Sequence, residues 1–332
     1  MTAPRYDVLG IGNAIVDVIA RAEDDFLIKQ NMQKGGMALI DEARASAIYQ
    51  AMGPASESSG GSAANTIAGV ASFGARAAFV GKVRNDDLGA VFGHDIRALK
   101  VDFDTRAASD GPSTARCYIM VTPDGERTMN TYLGAAQNLG PADIDPKLIG
   151  DAAITYLEGY LWDPPQAKEA FRKAAKAAHD ADRLVALTLS DAFCVGRYRD
   201  EFLRLMRDGT VDLIFANEAE LKSLYETADF DSGVAALRED AKLAVVTRSE
   251  KGCVVIDRHG AKAVPAAPVS QVVDTTGAGD LFAAGFLFGL ATRRDHAACG
   301  KLGVLAAAEV IQHIGARPAV SLKALAQENG LL

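Results

Sequence analysis

Short apolar runs alternate along the chain with longer segments that are rich in alanine, lysine and glutamate. Such runs, many of them β-branched, are typical of strands buried on both faces, whereas the longer segments have the length and composition of helices. The predicted strands are Tyr6 to Ile11, Ala77 to Val80, Ala153 to Leu157, Leu184 to Leu189, Val211 to Phe215, Leu243 to Thr247 and Cys253 to Asp257. The predicted helices are Ala64 to Phe73, Gln166 to Ala181, Arg199 to Arg207 and Glu218 to Tyr225.

This alternation of strand and helix indicates the fold class. It predicts right-handed crossovers and a central, mostly parallel sheet with helices on both faces, which is the α/β class. Neither a shift in composition nor a linker divides the chain, and we find no internal repeat. Residues 1–332 are therefore predicted to form a single domain.

Two segments, about 15–40 and 114–132, depart from this rhythm and contain alternating apolar and polar residues. Within the second segment, the ProAspGly sequence at 123–125 is typical of a hairpin turn between two strands. We expect both segments to form a small sheet of their own that projects from the main sheet as a lid. The exposed face and edge of such a sheet offer a surface through which two copies of the chain can form a homodimer.

Composition and charge narrow the class of partner. The chain has 332 residues, 49% of them hydrophobic, with a formal net charge of −8. Lysine and arginine are scattered among acidic residues rather than clustered, so nucleic acid is not an expected partner. A polyanionic partner is therefore not expected.

Cysteine spacing and hydropathy indicate the compartment. The cysteines are far apart and form no CxxC pair, which favours neither a zinc site nor a disulfide framework. The N-terminal sequence lacks a signal peptide, and the longest apolar run, Leu281 to Ala291, is too short to span a bilayer. We therefore expect a cytoplasmic protein without a membrane segment. The four cysteines are Cys117, Cys194, Cys253 and Cys299.

The strongest chemical signal is the sequence DTTGAGD at 274–280, followed at once by an apolar helix. A glycine-rich turn that opens a helix leaves backbone amides unpaired at the positive end of the helix dipole, here those of Gly277, Ala278 and Gly279. This arrangement predicts an anion hole for a phosphate. Asp280, in the first helical turn, lies within reach of that phosphate as a general base. The alternative is a capped helix in which Asp280 only favours the dipole.

The sequence DTTGAGDLFAAGF resembles the C-terminal signature of the PfkB, or ribokinase-like, carbohydrate kinase family. Further motifs of that family occur in the family's order, although Arg84 and Ser249 stand where glycines are usual. The resemblance implies a ribokinase-like fold and transfer of phosphate from ATP to a hydroxyl group. The further motifs are GIGNAIVD at 10–17, GGSAAN at 60–65, GKVRNDDLG at 81–89, NEAE at 217–220 and TRSEKG at 247–252.

Within this family the chain is most similar to adenosine kinases. The similarity lies in the spacing of Asn13 and Asp17, in the GGSxxN motif, in the stretch from Leu187 to Phe193 and in the arginine of the DGER turn. It implies adenosine as the substrate, phosphorylated at its 5′ hydroxyl. A carboxylate and amides that converge on a diol reject substrates lacking a hydroxyl. By this resemblance the ribose is held by Asn13, Asp17, Gly60, Gly61 and Asn65.

Two of these side chains have simpler interpretations. Asp17 could be a strand-end cap, and Asn65 could cap the helix that follows the glycines. For an adenine ring, an apolar or aromatic slot is expected. Met129, Thr131 and Leu133 on the lid, with Tyr160 and Phe193 on the main domain, are the candidates, and each is also compatible with ordinary core packing.

The remaining roles follow from the family resemblance. Arg127 would lie over the transferring phosphate, although a solvated hairpin arginine is the alternative. Asn217 and Glu220 would act on Mg²⁺ through its water ligands, although the same residues make a good helix start. Asp274 and Thr276 match part of a site for a monovalent cation such as K⁺, and Ala319 stands where ribokinases have a serine. The residues bordering the ATP phosphates and ribose would be Thr247, Ser249, Gly252, Gly277 and Gly279.

The resemblance implies a mechanism in which Asp280 takes the proton of the primary hydroxyl as that oxygen attacks the γ-phosphorus of MgATP. Lid closure would exclude water as a competing acceptor. One alternative is a sugar kinase of the same family acting on ribose, fructose or 2-keto-3-deoxygluconate. A dinucleotide-binding oxidoreductase, suggested by the GlyIleGly sequence at 10–12, lacks the third glycine. A non-catalytic nucleoside or sugar sensor would not need the complete set of catalytic residues.

Overall fold

The computed structural model describes residues 3–332 and contains two sheets. The strands are β1 (Tyr6–Ile11), β2 (Ile15–Arg21), β3 (Met37–Leu39), β4 (Ala55–Gly60), β5 (Ala77–Val80), β6 (Val101–Asp102), β7 (Ala115–Val121), β8 (Arg127–Tyr132), β9 (Ala152–Glu158), β10 (Leu184–Thr188), β11 (Leu213–Asn217), β12 (Leu243–Thr247), β13 (Cys253–Asp257) and β14 (Gly260–Val264). The helices are α1 (Asp24–Lys29), α2 (Glu42–Ala51), α3 (Ser62–Ser72), α4 (Asp87–Ala98), α5 (Pro146–Gly150), α6 (Pro165–Asp180), α7 (Ala192–Arg207), α8 (Glu218–Leu224), α9 (Phe230–Asp240), α10 (Ala278–Ala291), α11 (His296–Val310) and α12 (Leu322–Glu328). Short 3-10 segments lie at Gly134–Asn138, Pro141–Asp143, Gly159–Trp162 and Ser249–Lys251.

The large sheet has nine strands in the order β14-β13-β12-β11-β10-β9-β1-β5-β6. Its strands are parallel except at one edge, where β13 runs antiparallel to both of its neighbours, β12 and β14. The predicted strands all lie in this sheet, which confirms the α/β class and the mostly parallel topology. The chain runs from β1 outward to β5 and β6, and then returns to β9 on the other side of β1. Ligands of open α/β sheets bind at the carboxyl ends of the strands beside such a reversal.

Helices cover both faces of the large sheet. Neighbouring residues of a strand point to opposite faces, and because both faces carry apolar side chains, both have to be buried. Val8 of β1 belongs to one buried cluster with α3, α10 and α11, and Leu9 to the other with α6 and α7. Helix α10 is apolar all round and packs tightly against α11, where a Cβ on Gly285 would lie 2.3 Å from the carbonyl oxygen of Leu302. No helix in residues 3–332 is long and apolar enough to cross a membrane.

The second sheet has five strands in the order β3-β8-β7-β2-β4. Segments 15–40 and 114–132 supply β2, β3, β7 and β8, as expected, whereas the polar sequence of β4 gave no strand signal. The face of this small sheet that points away from the large sheet is not exposed, contrary to expectation. Helix α2 covers it, and Val18 and Tyr118 of the sheet are buried there with Ala45 and Ile48 of the helix. A second copy of the chain therefore has access mainly to the edges, and the homodimer stays a prediction.

One predicted helix begins earlier than its periodicity suggested. Helix α7 starts at Ala192 rather than at Arg199, because the carboxylate of Asp191 accepts a hydrogen bond of 2.5 Å from the amide of Cys194 and caps the helix. The helix is kinked at Tyr198, where the backbone leaves helical geometry, and this break separates its two parts.

Candidate active site

A cleft of about 1430 Å³ lies between the small sheet and the carboxyl ends of the large sheet's strands. Pockets for one drug-sized ligand have about 300 to 1,000 Å³, so this cleft has room for two ligands side by side. Most of the site residues predicted from sequence border it. They are Asn13, Asp17, Gly61, Asn65, Met129, Thr131, Leu133, Tyr160, Phe193, Asn217, Glu220, Thr247, Ser249, Gly252, Thr276, Gly277, Ala278, Gly279 and Asp280.

The glycine-rich turn before α10 forms one wall of the cleft. Gly277 has φ +78°, and a Cβ there would lie 2.8 Å from Cα of Ala316, so only glycine fits. The prediction that the amide of Ala278 is free was wrong, because it donates to the carbonyl of Thr275 at 3.2 Å. The amides of Gly277 and Gly279 have no partner within residues 3–332. Two free amides at the start of a helix are the arrangement that the predicted anion-binding site requires.

Asp280 lies in the first turn of α10 and is held from a different part of the chain. Its Oδ1 accepts from the hydroxyl of Ser62 at 2.6 Å, and its Oδ2 accepts from Nδ2 of Asn65 at 3.0 Å. Burial raises the pKa of the Asp280 carboxyl, while these two hydrogen bonds and the charge of Arg317 oppose the rise. Because the carboxylate bonds to α3 rather than to amides of its own helix, it is not a helix cap.

Hydrogen-bond acceptors without partners face the cleft beside Asp280. Asp17 lies inside β2, where its backbone pairs with β4 and β7, so it is not a strand-end cap. Its carboxylate has no hydrogen-bond partner within residues 3–332. Burial raises the pKa of Asp17 to about 6 against the attraction of Arg317 and Arg127. Buried acceptors are normally paired, so such atoms in a cleft wall indicate a ligand that supplies donors.

Two side-chain amides contribute further unpaired acceptors. Oδ1 of Asn13 and Oδ1 of Asn65 are both buried without a partner. Asn65 does not cap α3, because the N-cap position is Gly61. Gly61 has φ +96°, and a Cβ there would lie 2.2 Å from the carbonyl oxygen of Asn13. Gly60 does not border the cleft but lies under Asp17, where a Cβ would lie 2.3 Å from the carboxylate.

Glu158, at the end of β9, is a site residue that the sequence reasoning missed. Its Oε1 accepts from Nδ2 of Asn13 at 2.6 Å, and its Oε2 accepts from the amide of Ala63 at 2.8 Å. It thereby ties the end of β1 to the start of α3. Burial raises the pKa of the Glu158 carboxyl to about 7. An acidic residue directly after a buried parallel strand is the signal that could have revealed it.

Ser62 and Arg317 were missed as well. Ser62 lies inside the GGSAAN motif, so its position next to the site was visible in the sequence, but its bond to Asp280 was not. Arg317 follows α11 and carries no motif or periodicity that connects it to the cleft.

The residues predicted to border a base lie around the mouth of the cleft. Phe193 is 71% exposed and Tyr160 is 38% exposed, so neither is ordinary core. The guanidinium of Arg197 lies 4.6 Å from the ring centre of Phe193. Thr131 is buried and its hydroxyl donates to the sulfur of Cys117 at 3.2 Å. Together with Met129 and Leu133, these side chains make an apolar and aromatic wall.

Arg127 and Asp274 are paired with each other outside the cleft. Nη1 of Arg127, at the start of β8, forms a buried ion pair with Oδ2 of Asp274. The same carboxylate accepts from the amides of Thr276 and Gly315, both at 2.9 Å. In this arrangement Arg127 does not lie over the cleft. Asp274 is thus paired with Arg127, and the K⁺ site at Asp274 and Thr276 stays a prediction.

Asn217 and Glu220 form the capping box of α8. Nδ2 of Asn217 donates to Oε1 of Glu220 at 2.5 Å, and the amide of Glu220 donates to Oδ1 of Asn217 at 2.9 Å. The helix-start interpretation is therefore correct. Both residues border the cleft, and a carboxylate oxygen that accepts one hydrogen bond has a further lone pair, so the pair fits a hydrated Mg²⁺ rather than a directly bound one. Within residues 3–332 no three His, Cys, Asp or Glu side chains could enclose a metal.

The loop between β12 and β13 also borders the cleft, through Ser249 and Gly252. Ser249, which stands where a glycine is usual, has φ +50°, and Gly252 has φ +81°. A Cβ on Gly252 would lie 2.1 Å from the carbonyl oxygen of Val264. Both positions have positive φ, but only position 252 lacks space for a side chain.

This difference predicts opposite effects of two substitutions on stability. Gly252→Ala is expected to lower the free energy of unfolding by about 2 to 3 kcal/mol, because it adds both backbone strain and a clash. Ser249→Gly relieves strain but makes the unfolded chain more flexible, so a change within about 1 kcal/mol is expected. Urea denaturation of both variants measures this difference, and equal effects would contradict it.

Comparison with known proteins identifies the relatives of this fold and cleft. The chain matches the family described as pfkB family carbohydrate kinase over residues 44–323. The adenosine kinase from Sinorhizobium meliloti is 57% identical, covers 98% of this chain and 99% of its own, and has a TM-score of 0.91. A protein described as a probable sugar kinase from Rhizobium etli CFN 42 is 53% identical, covers 99% of this chain and 100% of its own, and has a TM-score of 0.93.

A third relative extends the comparison to plants. The probable chloroplastic fructokinase-6 of Arabidopsis thaliana is 31% identical over 241 residues, which are 70% of this chain and 62% of that protein. This chain thus spans less than two-thirds of the length of that relative. The match to the family model covers most of the chain and includes the glycine-rich turn, the Asn217 helix start and the loop at Gly252. The chain therefore belongs to the pfkB family of carbohydrate kinases.

Proposed function

We propose that the chain is an ATP-dependent kinase that phosphorylates the 5′ hydroxyl of adenosine. The main support is that one cleft contains three features together. They are a helix start with free amides, the Asp280 carboxylate in the first turn of that helix, and unpaired hydrogen-bond acceptors suited to a diol. The S. meliloti adenosine kinase, at 57% identity, supports adenosine as the acceptor. The room for two ligands supports simultaneous binding of nucleoside and nucleotide.

Asp280 has the position and chemistry of a general base. Its two oxygens are oriented by Ser62 and Asn65, and each retains a lone pair for the hydroxyl of the substrate. As the hydroxyl oxygen forms its bond to the γ-phosphorus, its proton passes to Asp280 and ADP leaves with the bridging oxygen. The free amides of Gly277 and Gly279 face the place where negative charge develops on the phosphoryl oxygens.

The diol of the ribose is proposed to bind to Asp17, Asn13 and Asn65. Asp17 accepts from two hydroxyls at once, while the free Oδ1 atoms of the two asparagines supply further acceptors. Such a set discriminates against acceptors that lack a hydroxyl, because a buried acceptor would then stay unpaired. The adenine ring is proposed to lie against Phe193, Tyr160 and the apolar residues of β8.

ATP is proposed to lie along the glycine-rich turn and the loop of Thr247, Ser249 and Gly252. Mg²⁺, when bound, neutralises charge on the ATP phosphates, and Asn217 and Glu220 would hold it through its water ligands. The small sheet is proposed to act as a lid that excludes water, and closure would require Arg127 to leave Asp274 before it can reach a phosphate.

Phosphorylation of a free sugar is the second candidate function. The relative described as a probable sugar kinase, at 53% identity, favours it, and ribose or fructose would use the same acceptors and the same base. A non-catalytic sensor has no supporting observation beyond the shared fold. The proposed compartment is the cytoplasm, since all four cysteines are buried and unpaired.

A panel of acceptors tests the proposed function. Release of ADP from MgATP is measured with adenosine, inosine, guanosine, ribose, fructose and 2-keto-3-deoxygluconate. Adenosine is expected to give a kcat/KM at least about 100-fold above that of ribose, because only adenosine fills the wall at Phe193 and Tyr160. Preference for a free sugar would move the function to the second candidate. No turnover with any acceptor would favour the sensor.

A further inference from the structure

Arg317 lies behind the part of the cleft wall that holds the unpaired acceptors. Its Nη1 donates to the carbonyl of Ala64 at 2.8 Å, and its Nη2 donates to the carbonyl and the hydroxyl of Ser59 at 2.8 and 3.0 Å. Ser59 in turn donates from its amide and its hydroxyl to Asp95. One guanidinium thus fixes both sides of the turn at Gly60 and Gly61.

The segment that carries Arg317 also supports the anion-binding turn. The amide of Gly315 donates to Asp274 at 2.9 Å, and Ala316 lies where a side chain on Gly277 would have to be. Gly315 and Ala316 therefore contact the DTTGAGD segment at Asp274 and Gly277. The next residue, Arg317, contacts the turn that carries Ser62 and Asn65. The phosphate side and the acceptor side of the cleft are joined through this segment.

The charge of Arg317 acts on two carboxylates of the site. It opposes the burial that raises the pKa of Asp17, and it opposes the burial that raises the pKa of Asp280. The two carboxylates repel each other, so each is harder to ionise while the other is charged. The other titratable groups that interact with them are Arg127, Cys117, Tyr156, Glu158 and Tyr160.

We propose that Arg317 is a positioning residue that holds the turn carrying Ser62 and Asn65 and supplies the positive charge that offsets Asp17 and Asp280. The proposal rests on the proposed function, since it assigns Asp280 the role of base and Asp17 the role of acceptor for the diol. Its chemistry is distinct from that of Arg127, which is paired with Asp274. Arg317 reaches no substrate itself and acts through the residues it holds.

Removal of this charge has a defined direction of effect. A general base must be ionised, and a carboxylate that loses a nearby cation ionises at higher pH. The acid limb of the pH profile of kcat/KM should therefore move to higher pH in R317Q and R317M, by about 1 pH unit. R317K keeps the charge and loses only part of the hydrogen bonding, so its acid limb should stay near that of the wild type while kcat falls.

The experiment compares these three variants with the wild type, using the acceptor that the wild type phosphorylates best. A shift in R317Q and R317M without a shift in R317K supports the proposal. Lower activity in all three variants with unchanged acid limbs would assign Arg317 a purely structural role and overturn it. Failure of both neutral variants to fold, judged by circular dichroism, while R317K folds would overturn it as well, since a half-buried positioning residue should tolerate glutamine.

A second readout does not depend on turnover. Carbon-13 NMR of protein labelled at the aspartate side chains follows the titration of Asp17 and Asp280, assigned from the D17N and D280N spectra. Both titrations should move to higher pH in R317Q and not in R317K, and unmoved titrations would overturn the proposal. If the wild type phosphorylates no acceptor, the proposed function fails, while this titration still decides whether Arg317 offsets the two carboxylates.

Discussion

Replacing Asp280 by asparagine is expected to lower kcat about 1,000-fold, because asparagine cannot accept the proton of the substrate hydroxyl. A positioned general base contributes about 10²- to 10⁴-fold to a rate. Asparagine has nearly the same shape and can still bond with Ser62 and Asn65, so the wall of the cleft should keep its geometry. The affinity for adenosine should therefore change by less than about threefold.

Steady-state kinetics and isothermal titration calorimetry measure these two quantities separately. Asp87→Asn is the matched control, because Asp87 also lies in the first turn of a helix but is exposed and outside the cleft. That variant should keep the wild-type kcat. A D280N variant with kcat within about tenfold of the wild type would remove the role of Asp280 as general base.

The second large effect is expected at Asp17, and it should appear in KM rather than in kcat. In the proposed arrangement, Asp17→Asn replaces a carboxylate that accepts from two hydroxyls by an amide that accepts with one oxygen. Hydrogen bonds to a charged group contribute about 1.5 to 3 kcal/mol each, so the KM for adenosine should rise about 100-fold. Because Asp17 touches neither the reacting hydroxyl nor the phosphate in the proposed arrangement, kcat should fall much less.

A cycle that combines the variant with altered substrates tests whether Asp17 binds the diol. The wild type should discriminate strongly against 2′,3′-dideoxyadenosine, and D17N should discriminate against it far less. Equal discrimination by both proteins would mean that Asp17 acts through the fold. A fall in kcat with unchanged KM would place Asp17 nearer to the reacting atoms than we propose.

The large sheet could be predicted from sequence because its strands are buried on both faces. Runs such as Tyr6–Ile11 and Leu243–Thr247 are mostly apolar, and their predicted bounds agree with the structure. The edge strand Ala55–Gly60 carries the sequence ASESSG and has no such signal. It is held by its pairing with Ile15–Arg21, which local propensity cannot reveal.

Site residues could be predicted from sequence where a local turn requires a particular residue type. Those whose position depends on tertiary contacts could not. Gly61 and Gly277 have positive φ and no space for a Cβ, so their motifs are visible along the chain. Arg317 meets Ser59 and Ala64 across more than 250 residues, and no local pattern encodes that contact. The pairing of Arg127 with Asp274 was hidden for the same reason, because the two residues are 147 positions apart.

The central claim is that Asp280 activates the 5′ hydroxyl of adenosine for attack on ATP. Phosphorus-31 NMR of the product formed from adenosine and MgATP tests it most directly, because the proton coupling of the ester phosphorus reports the position of the phosphate. The account predicts ADP together with a nucleoside monophosphate whose phosphorus is split into a triplet by the two 5′ protons, and formation of this product about 1,000-fold more slowly with D280N. A doublet from a 2′ or 3′ ester, inorganic phosphate alone, or equal product from D280N would contradict it.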